Sequence, residues 1–88
     1  MQKEWLRKKV TIEEAETDNQ IVIDKTGKTL PFGFCNNKWV MLLGKSQNGD
    51  EIWEFKSEEE TWKNLCGREG IALVRNGEIV HYFLTAMS

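Results

Sequence analysis

The sequence predicts an α+β domain built mainly from antiparallel hairpins, and three observations carry that expectation. "IALVRNGEIVHYFL" (Ile71 to Leu84) sets Asn-Gly between two strand-like runs, "WVMLLGKSQNGDEIWEF" (Trp39 to Phe55) repeats the arrangement, and "SEEETWKNLC" (Ser57 to Cys66) opens with a helix-start signature. Asn-Gly supplies the positive φ values of a tight hairpin turn, and Ser followed three residues later by Glu can satisfy two backbone donors of a helix start reciprocally. The expected architecture is one small domain over residues 1–88. Its antiparallel sheet has five to six strands, with one helix over about 58–67 packed on one face.

The N-terminal segment Gln2 to Arg7 can form a short helix anchored by Trp5 and Leu6. "TIEEAE" (Thr11 to Glu16) admits two readings. Thr11 and Glu14 have the spacing of a capping box, whereas the alternation of Lys8, Val10 and Ile12 against Lys9, Thr11 and Glu13 is that of a strand. With only Ile12 and Ala15 apolar inside the helical reading, the strand is favoured, pairing with Gln20 to Asp24 across Thr17 to Asn19. "QIVIDKTGKTLPF" (Gln20 to Phe32) then reads as a hairpin turning at Lys25 to Lys28, with Pro31 confined to a strand end or an edge.

A second hairpin follows between Trp39 to Gly44 and Glu51 to Phe55, turned by Asn48-Gly49. One of its faces carries Val40, Leu42, Trp53 and Phe55; the other carries Trp39, Met41, Leu43, Ile52 and Glu54. In the helix after Ser57, Glu58 and Glu59 suit the positive end of the helix dipole. Trp62, Leu65 and Cys66 form a narrow apolar stripe, which predicts a buried and inert Cys66 thiol. The last hairpin has a two-residue turn, Asn76-Gly77, which pairs Leu73 with Val80, Ala72 with His81 and Ile71 with Tyr82. Both faces of that hairpin are largely apolar, which requires cover on both sides or a face kept for a partner.

Motifs for chemistry fail on their spacing. "DKTGKT" (Asp24 to Thr29) ends like a phosphate-binding loop, but Val22 stands where the first glycine is needed and no helix follows. Cys35, Cys66 and His81 are scattered without the paired spacing of a metal site, so neither a metal nor a cofactor is implied. Two cysteines are too few for a disulfide framework and read as thiols.

Composition bounds the rest. The chain is 40% hydrophobic and 30% charged with a net charge of −2, the balance of a soluble globular domain. No apolar run approaches the roughly 20 residues of a membrane helix, and no secretory signal pattern opens the chain, so a cytoplasmic location is expected. The acidic balance, with a single basic segment around Arg7 to Lys9, disfavours a nucleic-acid partner. Four tryptophans and four phenylalanines exceed what a core of this size holds easily.

The functional expectation is therefore a non-enzymatic interaction module that binds a protein partner, or itself as a homo-oligomer, through an aromatic sheet face. Trp39, Met41, Trp53, His81 and Phe83 are the candidate contact residues. By analogy, such a chain suits an inhibitor or accessory protein encoded by a mobile element. The alternative is a small-ligand or catalytic pocket between helix and sheet, involving Cys66, His81 and Tyr82.

Overall fold

The structure is a computed structural model that describes residues 3–22 and 25–87. Met1, Gln2, Ile23, Asp24 and Ser88 lie outside the described residues, as does the side chain of Phe34, so the start of the expected Gln2 to Arg7 helix and the end of the Gln20 to Asp24 strand are not covered.

Among the described residues the chain forms β1 (Leu6–Val10), α1 (Ile12–Asp18), β2 (Gln20–Val22), β3 (Thr29–Pro31), α2 (Asn36–Lys45), β4 (Glu51–Lys56), α3 (Glu59–Lys63), β5 (Arg68–Arg75) and β6 (Glu78–Met87), with 3-10 turns at Lys3–Trp5 and Gly33–Cys35. The fold is α+β, and every strand pairing is antiparallel. The six strands divide into a four-stranded sheet, ordered β1-β4-β5-β6, and the small β2-β3 ribbon. Three helices replace the single expected one.

Two segments expected as strands are helices. Thr11 caps α1 by accepting from the Glu14 N–H at 3.0 Å while the Glu14 carboxylate accepts from the Thr11 N–H at 3.1 Å. The box satisfies two of the donors that a helix start leaves unpaired, and Ala15 becomes fully buried. Trp39 to Gly44, expected as a hairpin strand, lie instead within α2. Cys35, Trp39, Leu42 and Leu43 recur at i, i+4, i+7 and i+8, a helical period; Trp39 and Leu42 are buried, and Cys35 and Leu43 pack against the same core.

The two Asn-Gly pairs accordingly make different turns. Asn76 and Gly77 both have positive φ (53° and 79°), as a type I′ hairpin requires. In the other pair only Gly49 does, at 92°. The turn from Gln47 to Asp50 closes with the Asp50 N–H donating to the Gln47 carbonyl at 3.0 Å, and it leads from helix to strand.

The register of the last hairpin also differs from expectation. Arg75 lies opposite Glu78 and Val74 opposite Ile79, but Leu73 then pairs with His81, Ala72 with Tyr82 and Ile71 with Phe83. Val80 is an extra residue, a β-bulge, and it turns Phe83 onto the face of Ile71 and Leu73. There Phe83 meets Phe32 edge-on at 5.3 Å and Trp39 at 6.5 Å, with Trp39 and Phe32 4.9 Å apart. Val10, Ala15, Leu42 and Ile52 complete this core, so α1 and α2 cover one face of the sheet.

The opposite face is covered more thinly. Phe55, Ala72 and Val74 are buried there, outside the helix-side cluster. Phe55 meets Tyr82 edge-on at 6.0 Å and lies over Gly70, where a Cβ would come within 3.0 Å of its ring and 2.0 Å of the Phe83 carbonyl oxygen. The N-terminal turn crosses this face. Trp5 reaches a hollow walled by Phe55, Arg68, Tyr82 and Leu84, and Lys3 pairs with Glu78 of β6 at 3.0 Å. β6 lies three strands from β1, or about 14 Å at the usual ~4.8 Å strand spacing.

α3 is shorter than expected because Ser57 is occupied elsewhere. Its hydroxyl accepts from the Arg68 N–H at 2.9 Å, and its own N–H donates to the Arg68 carbonyl at 2.8 Å. The capping box with Glu60 therefore does not form, and Glu58 is the N-cap. Past the Asn64 C-cap, Leu65 takes the left-handed conformation (φ 60°) and the Cys66 N–H donates back to the Thr61 carbonyl. Leu65 is 77% exposed instead of packing on the sheet. Cys66, expected to be buried, is exposed as well.

These features predict opposite effects at two positions. Leu65→Gly removes the Cβ penalty of the left-handed residue and is expected to raise stability by about 1 kcal/mol in urea unfolding. Gly70→Ala inserts a methyl into the Phe83 backbone and is expected to lower stability by about 2 kcal/mol or more in the same measurement; a neutral Gly70→Ala would contradict the close strand contact.

Candidate functional site

Among the described residues a groove of about 690 Å³ opens between α2 and β6. It is lined by Asn37, Lys38 and Met41 of α2, by Cys35 just before that helix, and by every residue of β6 from His81 to Met87. Successive strand residues point to opposite faces, so a groove lined by seven consecutive residues follows the strand's open edge. β6 is the terminal strand of its sheet, and among the described residues no strand pairs with the backbone groups on that side.

The core sets the position of α2 above this edge. Trp39 and Leu42 point down onto Phe83 and its neighbours, which leaves Lys38 and Met41 on the solvent side of the same helix. The Cys35 thiol lies 4.0 Å from the Leu84 carbonyl oxygen, and Gly44 and Lys45 lie beside Val80 and His81. α2 therefore runs antiparallel to β6. The far end of the helix is fastened by Arg75, whose Nε and Nη2 donate to the two Asp50 carboxylate oxygens at 2.9 and 2.8 Å, while Nη2 also reaches the Lys45 carbonyl at 3.3 Å.

The five sequence-derived contact candidates separate. Met41, His81 and Phe83 line the groove, Met41 at 57% exposure and Phe83 as its buried floor. Trp39 is only 1% exposed and sits behind Phe83, with its indole N–H donating to the Glu16 carboxylate at 3.0 Å. Neither Trp39 nor Phe83 presents a surface ring, because α2 is a helix whose apolar stripe faces inward and the Val80 bulge turns Phe83 into the core. Trp53 lies on the other face of the sheet, in β4, donating to Glu51 at 3.0 Å. Of the alternative trio, His81 and Tyr82 border the groove, but the thiol beside them is Cys35; Cys66 is exposed beyond α3.

The sequence did not single out Cys35, Asn37 and Lys38 on the helix side of the groove, nor Leu84 to Met87 on its strand side. The helical period of Cys35, Trp39, Leu42 and Leu43 was the available signal, since it places Lys38 and Met41 together on the flank of one helix. Among the described residues no group of three or more His, Cys, Asp or Glu is placed to hold a metal ion, and no helix is long and apolar enough to cross a membrane. No protein-family model matches the chain, and neither the curated proteins nor the solved structures contain a significant match.

The electrostatics near the groove concern its scaffold. Arg75 donates to Asp50 and holds its carboxyl below the usual carboxylate range, with the Gln47 N–H adding to the effect. Hydrogen bonds from Thr11 lower Glu14, and those from Trp53 and Lys9 lower Glu51. A carboxyl lowered in the folded state stabilises the fold above its unfolded pKa and loses that contribution as pH falls through the folded value. Stability is therefore expected to decline on acidification below about pH 4, the ordinary carboxylate value. Asp50→Asn is expected to be less stable at neutral pH and to show a shallower acid limb in pH-dependent denaturant unfolding.

Proposed function

We propose that this chain is a non-enzymatic protein-interaction module whose contact surface is the α2–β6 groove, where an extended backbone adds to the open edge of β6. The observation that carries this reading is the contrast between the two edges of one sheet. β1 (LRKKV) has three adjacent basic residues among its five, the usual protection against edge-to-edge pairing. β6 has ten residues and one charge, Glu78, at its first position, with no proline or lysine. Val80, Tyr82 and Met87 on that strand are 44%, 45% and 64% exposed, and Met41 on the flank of α2 above it is 57% exposed. An apolar edge with no charge beyond Glu78, and a regular stretch from His81 to Leu84 between its two bulges, lies beneath a helix, the arrangement by which strand addition combines main-chain hydrogen bonds with side-chain pockets.

The groove's volume also suits a small apolar ligand, with Cys35, His81 and Tyr82 in reach, and this is the competing reading. The acidic surfaces of α1 and α3 lie outside the groove, and an inhibitor or accessory role in the cytoplasm, encoded by a mobile element, is the setting we attach by analogy.

The test is recovery of a stoichiometric protein with the tagged chain from its native cell. Met41→Lys and Val80→Lys are expected to lose that protein and Trp53→Ala to retain it. Identical recovery with all three variants, or a wild-type chain that binds only a small molecule, would refute the reading.

A further inference from the structure

We infer that the segment filling the β6 edge is β6 of a second copy of this chain, paired antiparallel about a twofold axis at Tyr82. The inference rests on the interaction reading above and adds the identity of the partner. It starts from the shape of the edge. β6 carries two extra residues relative to β5, Val80 and Thr85, and between them only His81 to Leu84 runs as a regular strand. A straight foreign strand would keep its ladder across those four residues and lose it where the bulges bend the edge away. A second β6 running the opposite way brings the same two bends in reverse order. With Tyr82 on the axis, Val80 of one copy lies opposite Leu84 and next to Thr85 of the other, so the two strands curve together.

Face and charge agree with this register. Tyr82 meets Tyr82 on the side away from the helices, while His81 falls opposite Phe83 on the α2 side, so each pair shares a face as an antiparallel ladder requires. Glu78 of the second copy falls opposite Ala86; both residues belong to the α2 side, since Glu78 pairs with Arg75 and Ala86 with Glu69. Lys38 lines the groove together with Thr85, Ala86 and Met87, so Glu78, which pairs with Lys3 of its own chain at 3.0 Å and is otherwise exposed, approaches a second lysine across the axis. The groove itself contains no carboxylate to oppose it. The two α2 helices then flank the axis on the same side of a continuous sheet, covering Met41 and Val80 of both copies. The contact is isologous, as closed twofold dimers require.

The experiment is sedimentation equilibrium of the full chain over a wide concentration range, with circular dichroism confirming that each variant is folded. The wild type is expected to reach twice 10.3 kDa. Val80→Lys and Lys38→Glu are each expected to weaken the dimer by about tenfold or more, Trp53→Ala to leave it unchanged, and Lys38→Glu combined with Glu78→Lys and Lys3→Glu, which keeps the pair within each chain, to restore it. The last result depends on the two charges meeting across copies. A wild type that stays monomeric at every concentration overturns the inference, and needs no variant to do so. A dimer indifferent to Val80→Lys, or a triple variant that does not recover, overturns it too. If the chain is monomeric alone yet loses a co-purified protein on Val80→Lys, self-pairing is refuted while the interaction reading stands.

Discussion

Phe83 reaches the ring cluster of Trp39 and Phe32 only because β6 carries Val80 as an extra residue beside the Leu73–Val74 stretch of β5. Without the bulge, strict alternation from the Asn76-Gly77 turn would put Phe83 on the face away from the helices, and α2 would have no aromatic floor to sit on. The bulge therefore couples a local backbone irregularity to the placement of a whole helix. Burying Phe83, Trp39 and Leu42 contributes on the order of 1.5–3 kcal/mol for each side chain, which comfortably exceeds what one interrupted ladder position forfeits.

The same coupling generates the surface assigned a function. α2 is drawn inward by Trp39 and Leu42, so its outer flank hangs over the sheet edge and makes a groove of what would otherwise be a bare strand. On the far face the chain uses its own N-terminal turn: Trp5 sits in the hollow beside Phe55, and the Lys3–Glu78 ion pair ties the turn to the first residue of β6. That face is consequently less open than the hairpin pattern suggested. The exposed apolar residues of the sheet edge gather instead at β6 and α2.

How much of this could be read from the residues depends on how local the cause is. The Asn76-Gly77 turn, the β2–β3 ribbon around Gly27 and the antiparallel α+β class are local consequences of backbone preference, and all were legible. The Thr11–Glu14 box was visible too, but an alternating pattern of lysines and β-branched residues outweighed it. α2 is masked by Asn48-Gly49, which has the form of a hairpin turn, although a single positive-φ glycine serves a helix-to-strand turn equally well. The start of α3 and the Val80 bulge were not legible. Ser57 gives its hydroxyl to Arg68, eleven residues on, and the bulge is selected by where Phe83 finds company. Neither cause has a neighbouring residue to announce it. In the groove, Met41 and His81 could be named as contact residues, whereas Lys38 and Cys35 required the helix to be recognised first.

The register of β6 against β5 is the point on which the account turns, and it is directly measurable. Nuclear Overhauser contacts in the dissolved protein are expected to place Leu73 opposite His81 and Ile71 opposite Phe83, with Phe83 close to the Trp39 indole. Contacts that instead join Leu73 to Val80 and Ile71 to Tyr82 would remove the bulge, turn Phe83 outward and contradict the seating of α2 and the groove beside it.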